Sequence, residues 1–241
     1  MKSALILGAT GGIGKSIAKT LAKKGWSLYL QYNSHENIVD NLIDNFSKNY
    51  PQQDFISIKA DFNNLNNIDK IVASIFTLDA IVAAQGVTKY QLFSDISAKD
   101  FQKIFQINVE FPLLLIRKLQ EKLAKSTRGR IVLLGSVYGK VGSPMEVTYS
   151  TSKGALISFA NAYAKEVASL GITVNVIAPG AVATPMNNIF SSQEKNEIIN
   201  EIPEGRLADP RDVTYWVLNL LDEKAQYLTG QTLYVTGGWL N

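Results

Sequence analysis

The stretch SALILGATGGIGKSIAKTLAKK, residues 3–24, decides the fold. Ser3 to Leu7 is an apolar run of strand length. A glycine-rich turn, Gly8 to Gly14, follows at once. From about Gly12 to Lys24 the apolar residues Ile13, Ile17, Ala18 and Leu21 share one helical face. Alone, a glycine-rich string says little. Between a first strand and a first helix it reads as a dinucleotide-binding turn. Gly8 permits the tight turn, Gly12 lets the backbone approach a pyrophosphate, and Gly14 allows close helix packing. The helix N-terminus supplies amide donors and partial positive charge for the phosphates. An ATP-type loop is disfavoured, because no Gly-Lys-Ser/Thr closes the motif.

The same rhythm continues along the chain. Strands are expected at WSLYL, DFISIK, DAIVAA, RIVLLG, ITVNVIAP and QTLYVT. Helices alternate with them: one through Ile38, Leu42, Ile43 and Phe46, one over IDKIVASIF, and one long helix over about 99–125. Another runs from after Val147 to about Leu170, and PRDVTYWVLNLL gives the last. Strand–helix alternation with near-continuous apolar strands means a parallel sheet covered on both faces. No linker or repeat divides the 241 residues, so one domain, 1–241, is expected.

The second strand ends in LQYNSHE, where such sheets read the adenosine ribose. Gln31, Tyr32, Asn33 and Ser34 are neutral there, and no acid comes before Glu36. Neutral donors tolerate a 2′-phosphate, so NADP(H) is favoured, with NAD(H) left open. Asp61, after the third strand, is placed either to accept from the adenine amino group or to cap a helix.

Ser136 closes the fifth strand in LLGSVYG, and Tyr149 and Lys153 follow in YSTSK. Positions i and i+4 share a helix face. A phenol is a poor acid at neutral pH, and a neighbouring lysine cation lowers its pKa. Ser136 then holds a carbonyl oxygen while Tyr149 donates a proton. Asn108 in QINVE is a candidate for holding a water or a backbone carbonyl in the proton relay. Each has an ordinary alternative: a strand-end serine caps turns, and a helix asparagine bonds locally. Their order, after the dinucleotide half and at a C-terminal strand end, favours chemistry. A non-catalytic dinucleotide binder need not keep all four together.

Composition narrows the rest. There is no cysteine and one histidine, which removes thiolate chemistry and a histidine-rich metal site; no metal is expected. Net charge is +3 from 24 basic and 21 acidic residues, without a basic tract, so no nucleic-acid partner is expected. The apolar start is too short for a signal peptide, and no run is long enough for a membrane helix. A cytoplasmic enzyme is expected.

These motifs resemble the short-chain dehydrogenase/reductase family. They are GATGGIG at 8–14, Asp61, Gln85-Gly86, Asn108, Ser136, YSTSK at 149–153, Pro179-Gly180 with Thr184, and TGQTLYVTGGW at 229–239. The resemblance spans the whole chain and implies a Rossmann-like, doubly wound seven-stranded parallel sheet. It maps the family's tetrad to Asn108, Ser136, Tyr149 and Lys153. Lys153 also bonds the nicotinamide ribose, and Thr10, Ile13 and Gly86 join the cofactor contacts. Pro179, Gly180 and Thr184 meet the nicotinamide end, and Met186 to Ile202 forms a substrate lid. Relatives are commonly homotetramers, joined through two long helices and the last strand. Leu7, Ala83-Ala84 and Glu110-Phe111 depart from the usual pattern without removing a catalytic group.

Two subfamilies are in view. Within the family the chain is similar to the bacterial 3-oxoacyl-[acyl-carrier-protein] reductases, and IPEGRLADPRDVTYWVLNLL, followed by YLTG and VTGGW, resembles their C-terminal signature. An acidic carrier needs basic docking residues; Arg128 and Arg130 precede the fifth strand, while Leu170 stands where a second docking arginine is expected. SVYGKVGSPMEVTYSTSKGAL resembles elongation factor P 5-aminopentanone reductases, whose substrate is a ketone on a modified lysine. Glu146, three residues before Tyr149, then pairs with the substrate amine; its ordinary alternative is the helix dipole.

Overall fold

The computed structural model describes residues 2–186 and 190–239. The first half runs β1 (Lys2–Leu7), α1 (Gly12–Lys23), β2 (Trp26–Tyr32), α2 (Glu36–Asn49), β3 (Phe55–Lys59), α3 (Asn67–Ser74) and β4 (Ala80–Ala83). The second half runs α4 (Ala98–Phe105), α5 (Phe111–Ala124), β5 (Arg130–Leu134), α6 (Tyr138–Val141), α7 (Val147–Val167), β6 (Thr173–Pro179), α8 (Ser192–Glu201), α9 (Pro210–Leu220) and β7 (Thr232–Val235). The seven strands form one parallel sheet in the order β3-β2-β1-β4-β5-β6-β7. The direction of winding reverses between β1 and β4, and a crevice opens beyond their C-terminal ends.

Alternation along each strand explains why the strands are apolar throughout. Leu5 and Leu7 point to one face, where Ile71 of α3, Leu115 and Leu119 of α5 and Leu156 of α7 cover them. Ala4 and Ile6 point to the other, under Ile17 and Leu21 of α1, Leu42 of α2 and Val217 of α9. With both faces covered, both faces of the strands are mostly apolar, and a buried polar residue such as Gln31 or Asn175 has hydrogen-bond partners.

One expected element is divided. The helix expected over 99–125 is α4 and α5 joined by a π-turn, Gln106–Glu110. Pro112, at the start of α5, gives the reason. It carries no N–H, so the carbonyl four residues back, on Asn108, loses the donor of an unbroken α-helix, and the ring crowds it. Proline and the wider turn together place a fully buried Asn108 at the centre of the break.

Candidate active site

The nucleotide end is shaped by missing side chains. Gly8 has φ 71°, and a Cβ there would lie 2.9 Å from the Cα of Gln85. A Cβ on Gly14 would lie 2.1 Å from the Gly8 carbonyl oxygen, so α1 starts pressed against the turn before it. At Gly12 a Cβ would meet Cγ2 of Thr184 at 2.7 Å; this glycine makes room for the loop after β6. No side chain caps the N-terminus of α1, unlike α4, α8 and α9, which Ser97, Ser191 and Asp209 cap. The uncapped end faces a cavity of about 440 Å³. Thr10, Ile13, Asn33, Ser34, Asp61, Gly86 and Thr184 all line it. A dinucleotide fits this cradle: side chains at Gly8 or Gly14 would collide with its own backbone, and the free helix amides suit phosphate.

The strand-end reading needs correction at two positions. Gln31 is buried, its Oε1 accepting from Gly8 N–H (2.8 Å) and its Nε2 donating to the Ala60 carbonyl (2.8 Å). It stitches three strand ends rather than offering a donor to a ribose. Tyr32 is buried too, and its hydroxyl donates to Glu36 Oε1 (2.8 Å). Burial and that carboxylate push the phenol up to about 12. Lys59 holds the other oxygen of Glu36 at 3.2 Å. Asn33 and Ser34 remain, beside His35, which also lines the cavity. Asp61 does not cap a helix, since the N-cap of α3 is Asn66; its Oδ1 accepts instead from the backbone N–H and side-chain amide of Asn63, closing a turn, while the residue lines the cavity.

At the chemical end a second cavity, about 130 Å³, lies beyond β5 and β6. Ser136, Glu146, Tyr149, Pro179, Gly180 and Thr184 line it, and Ile13 and Thr184 border both cavities. Burial pushes the Tyr149 phenol above its ordinary range; the Ser136 hydroxyl opposes this, and the Glu146 charge adds to it. The sequence reading has Lys153 lowering that pKa, and here the net shift is upward. Lys153 lies over the Tyr149 ring, 5.6 Å from its centroid, and donates to the Leu134 carbonyl (2.6 Å). It is buried, and burial pulls its ammonium down to about 8. Gly86 leaves it room, since a Cβ there would lie 3.3 Å from Nζ.

Asn108 is engaged through its side chain. Nδ2 donates to the Val87 carbonyl (3.0 Å) and to Ser152 Oγ (2.9 Å), and Oδ1 accepts from Val87 N–H (2.9 Å). It fastens the loop after β4 to α7, where the departing Ala83-Ala84 pair offers no amide side chain. The backbone carbonyl that Pro112 leaves without its helical donor is the part suited to a water.

Glu146 stands at the N-terminus of α7, where its ordinary reading puts it, and it also faces the cavity. It is the N-cap residue of α7, yet its side chain makes no cap hydrogen bond. It is 8% exposed and faces the catalytic cavity, where the Thr88 hydroxyl donates to Oε1 at 2.6 Å. Burial raises its pKa, with Thr88 opposing. Met145 before it has φ 64°, a left-handed conformation for a side-chain-bearing residue. The Met145 carbonyl accepts from Gln91 N–H at 2.7 Å, which holds that turn.

Sequence reasoning assigned no site role to Thr88, Tyr138 and Trp239, which also line this cavity. Of the expected lid, Met186, Phe190, Lys195 and Ile198 contribute, and 187–189 lie outside the described residues. Only the paired glycine before Trp239 hinted that the chain turns back there. Of the two basic residues expected just before the fifth strand, Arg130 opens β5 and Arg128 lies in the loop before it. Arg130 is 2% exposed and donates to the Gly129 carbonyl, and Arg128 is paired with Glu223. Among the described residues no acidic or histidine cluster suits a metal, and no helix is long and apolar enough to cross a membrane.

Known proteins resemble the chain over nearly its whole length. A family model described as enoyl-(acyl carrier protein) reductase matches residues 8–240. An uncharacterized oxidoreductase of Bacillus subtilis (strain 168), YmfI, is 43% identical over 239 residues, covering 99% of this chain and 98% of the relative. The 3-oxoacyl-[acyl-carrier-protein] reductase FabG of Rickettsia typhi is 33% identical, covering 99% and 97%. Among solved structures, the 3-oxoacyl-[acyl-carrier protein] reductase of Brucella melitensis superposes with TM-score 0.91 at 25% identity, covering 100% of this chain and 91% of that one. A Beutenbergia cavernae protein described as an NAD(P)-dependent gluconate 5-dehydrogenase, solved with NADP at low occupancy, gives TM-score 0.92 at 27% identity, covering 99% and 96%.

Proposed function

The chain belongs to the short-chain dehydrogenase/reductase family of oxidoreductases, and from that premise we propose that it reduces a ketone to a secondary alcohol with NADPH, its substrate being the 5-aminopentanone-modified lysine of elongation factor P. The observation that carries this reading is Glu146. A carboxylate is buried against the reacting tyrosine with one hydroxyl as its partner. A substrate ammonium supplies the missing counter-charge, and aromatic Tyr138 and Trp239 on the same cavity suit a cation as well.

The cofactor, when bound, delivers hydride to the carbonyl carbon. Ser136 holds the carbonyl oxygen, and Tyr149 gives that oxygen its proton. Lys153, drawn down to about 8, titrates near neutrality and recharges the phenol through the Asn108 carbonyl and water. Residues Gly8 to Gly14 hold the pyrophosphate, with Asp61 on the adenine side and Pro179, Gly180 and Thr184 on the nicotinamide side. NADPH is preferred because Asn33 and Ser34 are neutral and Glu36 is held by Tyr32 and Lys59. We also assign a homotetramer in the cytoplasm; the exposed Tyr215 and Trp216 of α9, and the edge position of β7, support assembly on that side.

A second reading, 3-oxoacyl-[acyl-carrier-protein] reductase, draws support from the names of the Rickettsia and Brucella relatives. Against it stand the engaged Arg128 and the buried Arg130. One comparison separates the two: kcat/KM on ketone-modified elongation factor P and on acetoacetyl carrier protein. Preference for the carrier protein overturns the first reading.

A further inference from the structure

We infer that Trp239 is the end wall of the substrate cavity and limits this enzyme to ketones with a short arm beyond the carbonyl. This rests on the carbonyl-reductase reading but not on its amine. Trp239 is 6% exposed and faces the cavity that holds Ser136 and Tyr149. Two successive left-handed glycines, Gly237 at φ 64° and Gly238 at φ 88°, turn the chain after β7 back toward it. A Cβ on Gly238 would lie 2.9 Å from Cγ of Pro203, so the turn is seated against the loop after α8. Glu204 N–H donates to the Gly237 carbonyl (3.1 Å) and fixes that seat.

The indole itself is held on three sides. Its Nε1 donates to Glu201 Oε2 at the end of α8 (3.1 Å). Tyr138 meets it edge-on, with ring centroids 5.8 Å apart. Gly180 lies beneath it, where a Cβ would come within 3.3 Å of Cε3. A ring so held does not swing aside for a longer chain without losing its hydrogen bond. The cavity, about 130 Å³, is well below the roughly 300–1,000 Å³ of pockets that enclose drug-sized ligands. Such a space suits the ketone and a few carbons, whereas an acyl arm of eight carbons overruns the wall.

The test uses two neutral thioesters of N-acetylcysteamine, 3-oxobutanoyl and 3-oxooctanoyl, with NADPH. For the wild type, kcat/KM falls about 10–100-fold from the short to the long substrate, mostly in KM. Trp239→Ala brings the two within about threefold, by lowering KM for the long one. Trp239→Phe keeps the wild-type preference, as does Glu201→Gln, whose side-chain oxygen still accepts the indole N–H. NADPH titration by fluorescence and a thermal melt report folding, and Trp239→Leu replaces the alanine variant if that fails to fold. An unchanged ratio in a folded variant overturns the inference, and so does a wild type indifferent to length. Absence of Tyr149-dependent NADPH oxidation at either length overturns the underlying reading along with it. Failure of the amine assignment leaves the ratio untouched, because neither substrate carries an amine.

Discussion

Gly14 and Glu146 stand at the two ends of one cleft and make opposite demands. Gly14 works by having no side chain: a single carbon there would sit 2.1 Å from the Gly8 oxygen. Glu146 works by putting a charge where water is scarce, with Thr88 as its hydrogen-bond donor. The nucleotide end is therefore backbone shaped by local sequence, and its cost is steric. The chemical end is a set of polar groups, Glu146 and Lys153 buried and Tyr149 half-buried, and its cost is electrostatic. A site of the first kind fails by not forming. A site of the second kind forms against its own desolvation penalty, and removing a group can stabilise the fold while abolishing chemistry.

Five variants test that contrast. Tyr149→Phe should lower kcat/KM about a thousandfold or more while NADPH affinity and Tm stay near wild type, measured by single-turnover kinetics and a melt. Loss of cofactor binding in that variant would show the two ends to be one cooperative unit. Gly14→Ala should do the reverse kind of damage, costing about 3 kcal/mol of stability and the NADPH fluorescence signal together. Gly12→Ala should be milder, because its clash is with a Thr184 methyl rather than a backbone oxygen.

Glu146→Gln should lower kcat/KM about 10–100-fold on the amine-bearing ketone and less than about threefold on a neutral ketoester. The same variant should gain on the order of 1–3 °C in Tm at neutral pH. The sign follows from its raised pKa: the folded state holds the proton longer, so the wild-type contribution is favourable at low pH and is lost as pH rises. An equal loss on both ketones removes the amine from the substrate.

The last test is the pH dependence of stability without cofactor. Lys153 is drawn down from 10.5 to about 8, so between those values the unfolded chain holds a proton that the folded chain has released. Stability then rises with pH through that window. Above about 10 the raised phenols of Tyr149 and Tyr32 reverse the trend, because the unfolded chain ionises first. Calorimetry across pH 7–11 should show a maximum near 10, and Lys153→Met should flatten the rising limb.

How much of this was legible follows the same divide. Residues 3–14 dictate a strand, a turn and a helix from local sterics, and the strand order follows from apolar runs that need both faces covered. Tyr149 and Lys153 were legible because four residues along a helix is a local distance. Gln31 was misread because its partners, Gly8 and Ala60, lie 23 and 29 residues away and become neighbours only when three strand ends meet. Thr88 and Trp239 were not legible, since the cavity gathers them from loops 58 residues before and 90 residues after Glu146 and Tyr149 respectively. The upward shift of Tyr149 was missed for a related reason: spacing gives proximity to Lys153 but not the surrounding burial.

The π-turn at Gln106–Glu110 has a bearing on how far this segment tolerates change. An α-helix advances about 100° per residue, and a π-turn amounts to one residue more than the regular winding accommodates. It therefore acts as a phase shifter: Ile104 before it and Phe111, Leu115 and Leu119 after it all reach the core while Asn108 is turned toward Val87 and Ser152. Deleting any one residue from this segment would remove the extra residue and let the winding straighten, with α4 and α5 still in phase but Asn108 no longer turned out toward Val87 and Ser152. Point substitutions should be absorbed here far more readily than a change of length, so the segment is guarded by its residue count as much as by its residue types.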